Sequence, residues 1–258
     1  MPARDLDLLL SAAERAGDIA LRHFRAAPKV WDKADNAGPV TEADLEVDAA
    51  LRSHLLAERP DYGWLSEETD DDKARLDMDR VFILDPIDGT RAFIAQEDSW
   101  AHALAVAERG VVTAAVVFLP VTGELFAAAR GQGATLNGDP IRVSPQPQAD
   151  GASMLTTHRF MEPQNWPGGV PQVRRSFRPA IATRMALVAQ GRYDALLTLR
   201  DAWEWDIAAG ALLIEEAGGI VTDRLGNGLR FNAAFPKAKG VLAAGPSHGD
   251  FLKRLSVI

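Results

Sequence analysis

The sequence predicts a layered α/β protein, and three observations carry that expectation. Residues 99–129 are apolar segments split by "ERG" and "PVTG", the pattern of successive antiparallel strands joined by turns. Beyond residue 150, strand-like runs alternate with helical ones, as in an α/β unit. Ahead of both, two helical patterns flank a loop rich in Asp, Asn, Gly and Pro.

Taken in order, residues 5–26 place Leu6, Leu9, Leu10, Ala13, Ala16 and Ala20 near helical spacing. "VWDKADNAGPV" (30–40) reads as a loop. Thr41 is the expected N-cap of a helix to about Glu58, with Asp44 in the capping-box place and Val47, Leu51 and Leu55 as its apolar stripe. "YGWLSEE" (62–68) reads as a short strand ending in paired acids, and "RVFILD" (80–85) as a buried one. "QPQAD" (146–150) interrupts the pattern. It divides the chain into a 1–145 half with an antiparallel sheet and a 146–258 α/β half, together one catalytic unit. Strands are expected near 153–157, 194–199 and 241–244, with helices near 180–191, 205–217 and 247–256.

Composition narrows the function. At 258 residues, 47% hydrophobic and 25% charged, the chain is long enough and apolar enough to bury a core. A net charge of −8 with no Lys/Arg block argues against a nucleic-acid polymer as partner. Cysteine is absent, which removes disulfides, thiolate catalysis and Cys-based zinc sites. The N-terminus does not read as a signal peptide, and "GVVTAAVVFLPVTG" (110–123) is too short for a membrane span. A cytoplasmic protein without membrane partners is expected.

"LDPIDGT" holds the densest chemistry. Pro, Asp and Gly suit a turn, yet Asp85 and Asp88 follow a wholly apolar run, where loose charge is costly unless paired or metal-bound. Gly89 permits close backbone approach, and "TRAFI" can open a helix whose first N–H groups suit a phosphate. The DxDGT pattern of phospho-aspartate enzymes separates its acids by one residue; here two residues intervene. Asp44, Glu67, Glu68 and Asp206 each have a structural reading alone, as first-turn or strand-end acids. Together they scatter hard oxygen donors over the edges of several elements, as Mg²⁺ requires.

In order, "PVTEAD", "SEE", "LDPIDGT" and "EWDIAAGALLIEEAGG" resemble the inositol monophosphatase family of Mg²⁺-dependent, lithium-sensitive phosphatases, from Asp18 to Gly245. The resemblance implies an αβαβα sandwich with the metal site between the halves, and often a homodimer. It implies two or three Mg²⁺ ions held by Glu67, Asp85, the Ile87 carbonyl, Asp88 and Asp206. Glu67 and Thr90, supported by Asp44, would activate the water, and Gly89 and Thr90 would present amides to the phosphate. Lys33 lies in a loop that helps relatives bind a further metal, although a loop Lys is usually just solvated. The implied activity is hydrolysis of a small phosphate monoester by metal-activated water, without a phosphoenzyme.

The substrate is less defined. Where relatives carry Gly-Ser-Ala-Ala, this chain has Pro179, Ala180, Ile181 and Ala182. Arg91, Arg174, Arg175, Arg178 and Arg184 read either as surface charges or as contacts to a further anionic group; Arg91 and Arg184 are the candidates kept, with Glu204 for a substrate hydroxyl. "PVTEAD", "DGTRAFI" and "SWAHALAVAERG" look closer to the 3'(2'),5'-bisphosphate nucleotidase branch than to the plain inositol branch. Inositol-1-phosphate or a bisphosphate nucleotide is therefore expected, with histidinol phosphate and fructose-1,6-bisphosphate as alternatives. A non-catalytic, metal-dependent phosphate-binding protein is the alternative of another class.

Overall fold

Apolar residues at helical spacing form α1 (Pro2–Phe24), which buries Leu9, Ala13, Ala16 and Ala20. The structure, a computed structural model, describes residues 2–26, 28–33, 38–71 and 73–255. The loop expected over 30–40 contains a short antiparallel hairpin of β1 (Val30–Asp32) and β2 (Pro39–Thr41); residues 34–37 of it lie outside the described residues. α2 (Glu42–Glu58) begins as expected. Thr41 caps the amides of Ala43 and Asp44, and the Asp44 carboxylate accepts from the Thr41 amide, completing the capping box.

β3 (Gly63–Ser66), β4 (Arg80–Asp88), β5 (Ala101–Glu108), β6 (Val111–Leu119), β7 (Glu124–Ala129), β8 (Ala134–Leu136) and β9 (Asp139–Ile141) lie in chain order in one seven-stranded sheet. From β4 onward the pairing is antiparallel, but β3 and β4 run parallel, with Ser66 opposite Leu84. The strands expected to be antiparallel over 99–129 are so, and for the parallel β3–β4 pair residues 67–79 supply the crossover that it needs. β4 also runs three residues past its expected end. Its register against β5 shifts between Asp85 and Asp88, where Pro86 has no N–H and the Asp85 carboxylate accepts from the Ile87 amide. α3 (Thr90–Ile94) follows directly.

The second sheet joins β10 (Ser153–Leu155), β11 (Arg174–Ser176), β12 (Ala195–Thr198), β14 (Ile220–Thr222) and β16 (Val241–Ala244), in the order β11-β10-β12-β16-β14. It is mixed, because β16 runs antiparallel to both neighbours. β13 (Ala202–Trp203) and β15 (Lys237–Ala238) form a separate antiparallel ribbon. The helices of this half are α4 (Ile181–Ala189), α5 (Glu204–Glu216) and α6 (His248–Arg254); the last expected helical position, 256, lies outside the described residues.

Strand alternation sorts side chains into three cores. Phe82, Leu84, Leu104 and Val116 meet α1 and α2 on one face of the large sheet. Ile83, Ala103 and Ala105 on its other face meet α4 and α5, which also cover Leu155, Leu196 and Val241 of the small sheet. Phe251 of α6 packs on Met154, Leu197 and Leu242. Five layers result, the αβαβα order that the resemblance implies. α4 and α5 pack closely because of Gly210: a Cβ there would stand 2.5 Å from the Met185 Cβ. No helix among the described residues is long and apolar enough to cross a membrane.

Candidate active site

The parallel β3–β4 pair brings the strand-end acids together. Glu67 follows β3 directly, its amide donating to the Leu84 carbonyl at 3.4 Å, which sets it beside Asp85. Asp206 arrives from the other half, in the first turn of α5. Glu67, Asp85 and Asp206 each offer an oxygen, and all three atoms lie within 4.8 Å of one another. Asp88 ends β4 and turns toward α4, whose N-cap Ala180 has no capping side chain. The Ala182 amide donates to Asp88 Oδ2 at 2.6 Å.

Asp85, Asp88 and Asp206 resist ionisation. Burial pushes Asp85 and Asp206 well above the usual carboxylate range, and the neighbouring acids push them further. Burial raises Asp88 to about 7, against the lowering effect of the Ala182 amide and of Arg184. Such a cluster is stable as charge only with a cation among it, and its donors are all hard oxygens. That chemistry fits a small divalent ion such as Mg²⁺. Lys33 supplies some positive charge: its ammonium bonds Glu67 at 2.6 Å and Glu68 at 2.7 Å. The plain reading of Lys33 as a solvated loop residue is thereby corrected, since only 17% of its side chain is exposed.

Thr90 stands at the rim of the acids. Its hydroxyl lies 3.3 Å from Asp44 Oδ1 and 3.3 Å from the Ile87 carbonyl, and it can donate to one at a time. Asp44 is buried, and its other oxygen accepts from the Thr41 hydroxyl at 2.6 Å and the Thr41 amide at 2.8 Å. Burial raises its pKa, while those two hydrogen bonds lower it. Gly89 holds a left-handed φ of 96°, and a Cβ there would sit 3.1 Å from the Ala180 Cβ and 3.3 Å from the Ser99 carbonyl. Glycine alone suits that backbone.

Two supporting residues escaped the sequence reading. Asp48 accepts from the hydroxyls of Ser66 and Thr69, tying the Glu67–Glu68 turn to α2. Its position four residues after Asp44, on the same helix face, was the available signal. His102 lies wholly buried behind the turn, with Nδ1 paired to the Pro86 carbonyl. Burial lowers its pKa to about 4, so it donates there as a neutral ring. No motif marks it.

A cavity of about 460 Å³ opens over the acids. Gly38, Pro39, Arg91, Phe177, Pro179, Trp203 and Trp205 line it beside them. Arg91 thus falls where a substrate contact was expected. Arg184 is instead buried, its Nε donating to the Ala180 carbonyl at 3.3 Å and its guanidinium 5.5 Å from the Phe177 ring centre. It does not line the cavity; it serves as a counter-charge for Asp88 and Asp206, the acids that resist the fall in its pKa caused by burial. Glu204 does not line the cavity either: its carboxylate accepts from the amides of Asn232 at 2.6 Å and Ala233 at 3.0 Å. Its expected reading of a substrate hydroxyl gives way to anchoring that loop. Arg174 and Arg175 are exposed on β11, and Arg178 lines a smaller cavity of about 180 Å³ that contains none of the clustered acids.

The model of the inositol monophosphatase family matches residues 3–255. The chain is 34% identical over 232 residues to a histidinol-phosphatase of Chlorobaculum parvum, covering 86% of each. It is 33% identical over 256 residues to an inositol-1-monophosphatase of Rhizobium meliloti, covering 94% of this chain and 92% of the relative. Among solved structures, the extragenic suppressor protein suhB of Bartonella henselae superposes with a TM-score of 0.80 at 29% identity, over 97% of both chains. The three names differ, while the fold and family agree.

Proposed function

The chain belongs to the inositol monophosphatase family, and from that premise we propose that it is a Mg²⁺-dependent hydrolase of a small phosphate monoester. The observation that supports this best is the convergence of Glu67, Asp85 and Asp206, brought from two paired strands and a helix of the other half to within 4.8 Å, with Asp85 and Asp206 raised well above the usual carboxylate range. Glu67, Asp85, Asp88, Asp206 and the Ile87 carbonyl would hold two or three ions. Bound there, Mg²⁺ would neutralise the phosphate dianion and acidify a water.

The remaining work falls to the chain. Thr90, held between Asp44 and the Ile87 carbonyl, orients the water, and Glu67 takes its proton. The amides of Gly89 and Thr90, at the start of α3, face the phosphate oxygens. Arg91 contacts the substrate at the cavity wall. Inositol-1-phosphate, a 3'(2'),5'-bisphosphate nucleotide, histidinol phosphate and fructose-1,6-bisphosphate are the substrates to compare. Phosphate release from these four, with Mg²⁺ and with a chelator, tests the reading. Chelator-sensitive release from at least one is expected; no release from any, with phosphate still bound in the presence of Mg²⁺, would establish a binding protein instead.

A further inference from the structure

We propose that the leaving group of the natural substrate carries a flat heteroaromatic ring, seated on a wall of Trp203, Trp205 and Phe177. The proposal rests on the phosphatase reading and specifies the other end of the ester.

The polar side chains of the cavity are already committed. Glu67, Asp85 and Asp206 form the acid cluster, Asp88 accepts from the Ala182 amide, and the Thr90 hydroxyl faces Asp44 and the Ile87 carbonyl. Among the described residues that line the cavity, Arg91 and the indole N–H groups of Trp203 and Trp205, donors all, are the polar groups left for the leaving group. Glu204, which could have paired a hydroxyl, is turned to the amides of Asn232 and Ala233. A polyhydroxylated ring would therefore press most of its hydroxyls against Pro39, Phe177, Pro179 and the tryptophans, and each one deprived of water without a partner weakens binding.

The same surface suits a flat ring. The Trp203 and Trp205 rings stack with centroids 4.5 Å apart and planes 12° from parallel. The Lys237 ammonium stands 3.7 Å over the Trp203 ring, so Trp203 is sandwiched between Lys237 and Trp205 and braces Trp205 from behind, with Phe235 tilted against it at 6.0 Å. Phe177 lines the same cavity and is 47% exposed, so its ring is open to a ligand there. Aromatic walls also take the apolar faces of sugars, but a sugar site needs rim carboxylates or amides to pair the hydroxyls.

The wall is also held in place before any ligand arrives. Trp203 and Lys237 are opposed in the β13–β15 ribbon. The wholly buried Arg75 side chain bonds the Asn232 side chain at 2.6 Å and the Ala233 carbonyl at 3.0 Å, while Glu204 holds the same two residues from the other side. A preorganised stack loses little freedom on binding. In the same cavity, the Arg91 guanidinium offers N–H donors to a ring nitrogen.

The test compares kcat/KM, with Mg²⁺, for glycerol 2-phosphate, inositol 1-phosphate, an imidazolyl-alkyl phosphate and adenosine 2'-monophosphate. In parallel, tryptophan quenching is titrated with the same esters and Ca²⁺ in place of Mg²⁺. At least one heteroaromatic ester is expected to exceed inositol 1-phosphate tenfold. Trp203→Leu and Phe177→Ala should each cut that advantage fivefold or more, mainly through KM and measured relative to glycerol 2-phosphate, whereas Trp203→Phe should keep it. Equal or better use of inositol 1-phosphate, or a ratio unmoved by the two truncations, would overturn the proposal. If no ester is hydrolysed, the phosphatase reading fails on its own. Ring-dependent quenching that is lost in Trp203→Leu would then still support the wall, and its absence would remove the wall as well.

Discussion

The Asp88 carboxylate accepts a 2.6 Å hydrogen bond from the Ala182 amide, 94 residues further along the chain. One side chain thus serves two halves of the molecule: it closes the acid cluster and caps a helix that has no cap of its own. Asp88→Asn keeps an acceptor for the amide but removes the charge. Its far-ultraviolet circular dichroism should match the parent. Its Mg²⁺ affinity by calorimetry should fall by more than the roughly 10–100-fold typical of residues one step removed from a metal. Near-normal Mg²⁺-dependent turnover in this variant would defeat the assignment of Asp88 as a ligand.

The stability of chelated protein should depend on pH with an unusual sign. Asp88 is raised to about 7, and Asp85 and Asp206 are raised by burial and by one another. Above the ordinary carboxylate range of about 4 the unfolded chain has lost these protons while the folded chain still holds them. Stability from this source is complete below about pH 4 and is lost as pH rises through about 7. In scanning calorimetry with a chelator, this contribution should lower Tm between pH 5 and pH 8, and excess Mg²⁺ should remove the slope. A Tm that rises over that interval in chelator would contradict the uncompensated cluster.

Asp44 and Thr90 separate stability from chemistry. Asp44→Ala removes the acceptor of the capping box as well as the partner of Thr90, so it should cost about 1 kcal/mol, or about 2–4 °C in Tm, together with turnover. Thr90→Val leaves the cap intact and should reduce kcat on the order of 100-fold with Tm nearly unchanged. The double variant should lose little more turnover than the worse single one, because both act on one water. Additive losses would place the two residues in separate roles.

Glu204→Gln keeps one acceptor for two amides. The orphaned N–H should destabilise the protein by roughly 1–3 kcal/mol, while Mg²⁺ affinity stays at the parent value. A Glu204→Gln protein with full stability and a selective rise in KM would restore the role of Glu204 in reading the substrate.

Local spacing made much of this legible. Thr41 and Asp44 announce α2 because a capping box needs no distant partner, and the two-residue gap between Asp85 and Asp88 departs from the one-residue gap of a phospho-aspartate centre. The alternating apolar segments of β5 to β7 predict their antiparallel order because each turn is short. The direction of β3 was not legible, since a four-residue strand carries no mark of which way its neighbour runs. Arg184 and Glu204 were misplaced for a related reason: burial and partners recruited from distant loops decide whether a charged side chain faces a cavity. The Trp203–Trp205 stack lies two residues apart in sequence, but nothing there shows that it shares a cavity with Phe177.

α5 is fastened at both ends. Glu204 at its start holds the loop at Asn232, and at its finish Glu215 bonds Arg130 at 2.7 Å while Glu216 takes the amides of Gly131 and Gly133 at 2.9 Å each. Its middle is buried between the two sheets. Asp206 therefore rides on a stiff post, whereas the contact of Glu67 with Lys33 depends on a hairpin of three-residue strands. The two acids are therefore anchored unequally: Asp206 by a buried helix tied at both ends, and Glu67 by a turn that Asp48 fastens to α2 and Lys33 braces from the hairpin.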